Sequence, residues 1–251
     1  MRILVLLCAL AMPLVAWFSQ TGAFGPDNAV ISGRYPTLLV AAGYAFSVWG
    51  LIFLLDLVFG VWQLRPRQRD HALLTRLRPA AAAGFALTAA WMPIFSQQRF
   101  WLALLVIWSS LACLLYCAIL LSRHHSTHAG ERAWAWLPLS LHAGWLSLAA
   151  FLNTAQVIVA YQLLPTDDML GWSSALFAAA AALLLVANVR MRGNWVFVAV
   201  AVWGLVAVYR QQSASGLPGA STAAWIAAGI AVVAVVQTLW LRSRSGRLAQ
   251  G

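Results

Sequence analysis

A chain of 251 residues that is 63% hydrophobic and only 9% charged cannot bury its apolar side chains in a water-soluble core of ordinary proportions. Its formal charge of +10 comes from sixteen basic residues, all arginine, set against six acidic ones. In so apolar a chain that charge speaks for membrane topology and anionic lipid, and against a nucleic-acid partner.

Breaking the apolar runs at charges, prolines and glycine clusters predicts eight spans, roughly 3–18, 38–63, 79–97, 100–121, 134–162, 170–189, 194–210 and 223–241. Runs of about 17–25 apolar residues cross the hydrocarbon as helices. They are continuous rather than alternating, so the fold class is all-α, a polytopic membrane bundle and not a barrel. The first span follows Arg2 and resembles a secretory leader in outline, but no small-x-small cleavage site comes promptly after it, and it is kept as a helix.

The second run, AGYAFSVWGLIFLLDLVFGVWQL over 42–64, carries Trp49 and Asp56 well inside it. A carboxylate there costs at least about 2.5 kcal/mol on insertion scales, so it points to a cavity or a polar partner. In the fourth run Cys113 and Cys117 stand at helical spacing and read as a packing pair; with Cys8 they make neither a disulfide framework nor a metal pattern. The loop RHHSTHAGER over 123–132 groups His124, His125 and His128, ordinarily a solvated basic loop, and in a sharper reading a metal or haem contact. On the fifth run His142, Trp145, Ala149, Asn153 and Gln156 fall on one helical face, which in lipid must look inward. Asp56 precedes Gln63 by seven residues and His142 follows Trp134 by eight. At 1.5 Å per residue both lie about 10–12 Å from the same membrane edge, within reach of each other. The sixth run is alanine-rich and suited to close helix packing.

The arginines orient the bundle. With a cytoplasmic N-terminus, thirteen of the sixteen face the cytoplasm, leaving Arg34, Arg99 and Arg210 outside with Asp27, Asp167 and Asp168. The positive-inside rule therefore predicts that both termini are cytoplasmic. Nine of the fourteen tryptophans lie near span ends, as interfacial indoles do, while Trp49, Trp91, Trp108, Trp145 and Trp203 lie deeper.

Three of those deep indoles sit in recognisable surroundings. GYAFSVWGLIFLL over 43–55 resembles the second helix of the tryptophan-rich sensory protein family, TspO/MBR, which includes the mitochondrial translocator protein. TAAWMPIFSQQRFWLAL over 88–104 resembles that family's Asn-x-x-Trp-x-Pro-x-Phe motif at the end of its third helix. WLPLSLHAGWLSLAAFLNTA over 136–155 resembles its fifth. The resemblance covers residues 1–162 as a five-helix core and leaves 163–251 as a three-helix extension with a short tail, like a longer bacterial branch of the family. The sequence departs from the pattern in three places. The loop after the first span lacks the family's Trp-Tyr and Lys-Pro-x-Trp-x-Pro-Pro run, Thr88 or Ala89 stands where an asparagine is expected, and Tyr161 is not followed by the basic residue of a sterol motif.

The resemblance implies a protein of the bacterial inner membrane that binds tetrapyrroles such as protoporphyrin or haem, as sensor or carrier, with no cofactor required and homodimerisation as a further implication. Phe46, Trp49, Trp91, Trp145 and Asn153 are the expected pocket lining; Asp56 and His142 are added on physical grounds. Two alternatives stand beside it: a secondary transporter coupling proton movement to Asp56 and His142, and an enzyme that modifies a bound porphyrin. No nucleophile–base set, phosphate-binding loop, glycine fingerprint or metal-ligand set is found, so no catalytic residue is assigned. The expected partners are membrane lipids and a hydrophobic small molecule.

Overall fold

A computed structural model describes residues 1–26, 28–124 and 130–248. Asp27, His125 and His128 lie outside the described residues. Within them the chain is helical without strands, and eight helices are long and apolar enough to cross a membrane.

In chain order the elements are α1 (Arg2–Gln20), the short α2 (Asn28–Arg34), a 3-10 turn (Gly43–Ser47) running into α3 (Val48–Trp62), α4 (Ala72–Ser96) and α5 (Phe100–Arg123). A π turn (Arg132–Trp136) then opens α6 (Leu137–Ala160), followed by α7 (Leu170–Arg190), α8 (Trp195–Ser213) and α9 (Ala220–Leu248). All eight predicted spans correspond to helices, with four local differences. The loop after the first span holds α2, α4 begins seven residues before the predicted 79, residues 38–42 of the second span are not helical, and α9 runs on to Leu248, past the predicted 241.

The second difference has a visible cause. Pro79 and the arginines around it read as a helix breaker, since proline removes an i−4 hydrogen bond. Here Arg78 lies inside the helix, buried, and its guanidinium donates to Gln63 Oε1 at 3.1 Å, to the Arg69 carbonyl and to the Gln68 carbonyl. The charge that seemed to mark a loop instead satisfies the carbonyls of the α3–α4 connection. Arg2 does the same for the end of α3, donating to the carbonyls of Gln63 and Leu64, while Gln63 Nε2 donates back to the Arg2 carbonyl at 2.7 Å.

The bundle is arranged around α6, against which α3, α5, α7 and α8 all pack; α4 lies between α1 and α5, and α9 covers α7 and α8. Lipid offers helices no hydrophobic gain on association, so close fit between small residues must supply it. Gly144 shows how close: a Cβ there would stand 2.5 Å from the Phe197 carbonyl oxygen and 2.4 Å from Val200 Cγ1 of α8. On the opposite side, α1, α7 and α9 turn Leu7, Val186, Val232 and Leu239 outward, the faces that meet acyl chains.

A non-helical segment over 37–42, with a turn at Leu38 and Leu39, joins the two ends of the chain. Ala42 donates its N–H to the Ala207 carbonyl of α8 at 3.0 Å, and Gln212 Nε2 donates to the carbonyls of Thr37 and Val40, each at 3.1 Å. Trp203, on the same helix, donates Nε1–H to the Ala45 carbonyl at 3.2 Å.

Candidate functional site

The 3-10 turn before α3 exists because the chain must bend from the non-helical segment into a span, and it points Phe46 inward beside Trp49. From α4 come Trp91 and Phe95, and from α6 come Trp145, Ala149, Asn153 and Gln156 at the helical spacing noted in the sequence. Val40 and Ala41 of the non-helical segment and Asn28 of α2 complete a cavity among them. Its free volume is about 20 Å³. That is room for about one water molecule.

The walls are aromatic and ordered with respect to one another. Trp49 lies nearly parallel to Trp91 at 6.5 Å between ring centroids and edge-on to Trp145 at 6.0 Å, while Phe46 meets Trp145 edge-on at 6.1 Å. Trp91 donates its indole N–H to Asn153 Oδ1 at 2.9 Å, and Asn153 Nδ2 donates to the Ala149 carbonyl at 3.1 Å, so the amide is fixed in orientation. Two donors of α6 are different. Trp145 Nε1 and Gln156 Nε2 are buried on this wall with no hydrogen-bond acceptor among the described residues. Buried N–H groups are nearly always paired, so two on one small wall ask for an explanation.

Outside Trp49 lies a second hollow of about 650 Å³ between α1, α3 and α4, reached from the side of the bundle. Asn28, Phe46, Trp49 and Trp91 line both spaces. These four residues are therefore the partition between the small cavity and the larger groove.

Asp56 and His142 do not line the cavity. They lie behind Trp49, both fully buried, with His142 Nδ1 at 2.7 Å from Asp56 Oδ2. The imidazole is clamped between Phe85, stacked at 6.0 Å and 8°, and the edge of Trp49 at 5.7 Å and 88°. From Nε2 a chain continues to Thr88 Oγ1 at 3.2 Å, from there to Ser110 Oγ at 2.9 Å, and from Ser110 to the Gly84 carbonyl at 2.9 Å. Counting protons along it is informative. If His142 is doubly protonated, Nδ1–H serves Asp56, Nε2–H serves Thr88, the Thr88 hydroxyl serves Ser110 and the Ser110 hydroxyl serves Gly84, and every contact has one hydrogen. The same count is met by a neutral imidazole when Asp56 carries the proton and donates to Nδ1; only a neutral imidazole that donates to an ionised Asp56 leaves Ser110 to choose between Thr88 and Gly84.

Of the residues singled out from the sequence, Phe46, Trp49, Trp91, Trp145 and Asn153 meet at the cavity, and Asp56 and His142 meet each other one layer away. Thr88 and Ser110 were not singled out as members of this network. Ser110 is a hydroxyl midway along an apolar run and carried the same kind of signal as Asp56, though a weaker one. Asn28, Val40 and Ala41 gave no signal, because only tertiary packing brings their segment over α6.

An all-α bundle of eight helices long and apolar enough to span a membrane, enclosing an aromatic cavity and a buried carboxylate–imidazole pair, defines a polytopic membrane protein. The family of TSPO-like proteins matches residues 2–237, and the chain belongs to that family. No curated protein and no solved structure matches the chain.

Proposed function

We propose that the protein binds a flat, apolar ring compound carrying hydrogen-bond acceptors, a tetrapyrrole such as protoporphyrin or haem, and acts as its sensor or carrier without turning it over. The observation that carries this is the pairing of aromatic walls with two acceptor-less donors, Trp145 Nε1 and Gln156 Nε2. Ring faces offer contact area at low conformational cost, and a ligand carbonyl or carboxylate would satisfy the donors. Drug-sized ligands occupy about 300–1,000 Å³, far more than the small cavity but of the order of the lateral groove beside it. In this reading the ring system lies in the groove, and its polar edge reaches the donors after Trp49 and Phe46 swing aside. The setting is the bacterial inner membrane, with both termini on the cytoplasmic side, as the distribution of arginines favours. Residues 1–162 form the ligand-binding core, and 163–251 brace it through α8.

The test is a titration of the purified protein in detergent with protoporphyrin IX and haemin, followed by tryptophan fluorescence. Saturable quenching at micromolar ligand, weakened in Trp91→Phe, Asn153→Ala and Gln156→Leu, is the expected result. Equal and non-saturating quenching in all four proteins would mean partitioning into the micelle and would end the proposal.

A second reading, proton-coupled transport, is favoured by one observation, the 2.7 Å contact between Asp56 and His142 within the membrane span. It predicts flux of the ligand into liposomes that responds to a pH gradient and is lost in Asp56→Asn, with ligand quenching retained.

A further inference from the structure

The histidine-rich loop over 123–132 supplies two of three residues that meet in the fold, His124 and Glu131, and the third, His71, comes from a distant part of the sequence. His71 stands at the start of α4, Glu131 immediately before the π turn that opens α6, and His124 at the end of α5. The fold brings them together at the arginine-rich end of the bundle. One ligating atom from each lies within 4.8 Å of the other two. His71 Nε2 and Glu131 Oε2 are already 2.9 Å apart, and both side chains are buried, at 4% and 2% exposure. The His124 ring is exposed and sits edge-on to His71, 6.2 Å between centroids.

We propose that His71, His124 and Glu131 form a binding site for a divalent transition-metal ion of the zinc class. Two imidazoles and a carboxylate are a donor set that zinc accepts in tetrahedral geometry, leaving one position for water. Bond lengths of about 2.0–2.1 Å place neighbouring ligand atoms roughly 3.3 Å apart around such an ion. The buried pair needs to open by only a few tenths of an ångström, and the remaining closure falls to His124, an exposed side chain at a helix end. On binding, His71 Nε2 offers its lone pair to the ion, the imidazole keeps its hydrogen on Nδ1, and the hydrogen bond to Glu131 Oε2 gives way to a metal–carboxylate bond. Nitrogen donors exclude calcium and magnesium as preferred occupants, since those ions take oxygen ligands.

The ordinary alternative is a hydrogen bond that merely pins the α3–α4 connection to the start of α6. It accounts for His71 and Glu131 but gives no reason for a second imidazole at the same point. Glu131 is the only glutamate in the chain, and it sits on a face otherwise rich in arginine. Those arginines oppose an incoming cation, so binding should depend most on the carboxylate. The site would tie together three segments, the α3–α4 connection and the ends of α5 and α6.

The test uses the full chain in detergent without a polyhistidine tag, titrated with zinc against a chromophoric chelator and, separately, with cobalt followed by its visible absorption. One equivalent of metal, a four-coordinate cobalt spectrum, loss of binding in Glu131→Gln and an affinity about tenfold or more weaker in His124→Ala are expected. His124→Ala alters an exposed residue and leaves the His71–Glu131 bond intact, so it should fold normally, and thermal unfolding without metal provides that check. Affinity unchanged in both variants would overturn the proposal. So would binding lost only in a His125→Ala, His128→Ala double variant that keeps the three proposed ligands.

Discussion

The interior of this bundle has two halves that differ in how their polar groups are handled. Behind Trp49, Asp56, His142, Thr88 and Ser110 are linked atom to atom and end on a backbone carbonyl, and of the side-chain polar atoms in this network only Asp56 Oδ1 lacks a partner among the described residues. In front of Trp49, aromatic rings enclose a small space, and two N–H donors have no acceptor among the described residues. A closed hydrogen-bond chain with no room beside it holds helices in register. An aromatic wall with spare donors is suited to a guest. Trp49 touches both, which is why a span that needs only to be apolar carries an indole and a carboxylate two turns apart.

If the halves divide the work this way, substitutions should separate stability from ligand binding. The largest loss of stability is expected for Asp56→Ala, which strands a buried imidazole; removing one member of a buried charged pair costs about 3–5 kcal/mol. Unfolding in mixed micelles measures it, and the double variant Asp56→Leu, His142→Phe should recover much of the loss because both partners then become apolar. Next comes Gly144→Val, which pushes α8 off α6 at about 1–3 kcal/mol of overpacking and should disturb both halves alike. Thr88→Val should cost less, about 0.6–1.7 kcal/mol as for other hydrogen bonds between membrane helices, with ligand quenching unchanged. Smallest in stability is Trp145→Phe, which removes a donor that has no acceptor and should move the unfolding free energy by less than about 1 kcal/mol. In the same variant porphyrin quenching should weaken clearly. If Trp145→Phe and Thr88→Val had the same effect on both measurements, the division between the halves would not hold.

Much of this was legible in the sequence because membrane helices obey few rules strictly. A span must be continuous and apolar, and a polar face within it must turn inward, so the spacing of Trp145, Asn153 and Gln156 was readable as one wall, although His142 on the same face turns to Asp56 and not to the cavity. Equal depth was enough to bring Asp56 and His142 within reach of each other. The rules fail where a residue's surroundings come from a distant part of the chain. Arg78 looked like a loop charge because nothing local shows that Gln63 and two carbonyls will enclose it. His71 and Glu131, sixty residues apart, carried no common signal. The segment that covers the cavity has no periodicity, since its shape is set by bonds to α8 and not by its own residues.

Those bonds have a mechanical consequence. The ceiling of the cavity is hung from the C-terminal third of the chain by Ala207 and Gln212, while its floor and walls belong to α3, α4 and α6. Anything that enlarges the space by lifting residues 37–42 must either break three hydrogen bonds or carry α8 with it. Ceiling and α8 move as one part, so the helices beyond residue 162 set the stiffness of a chamber whose walls they do not line.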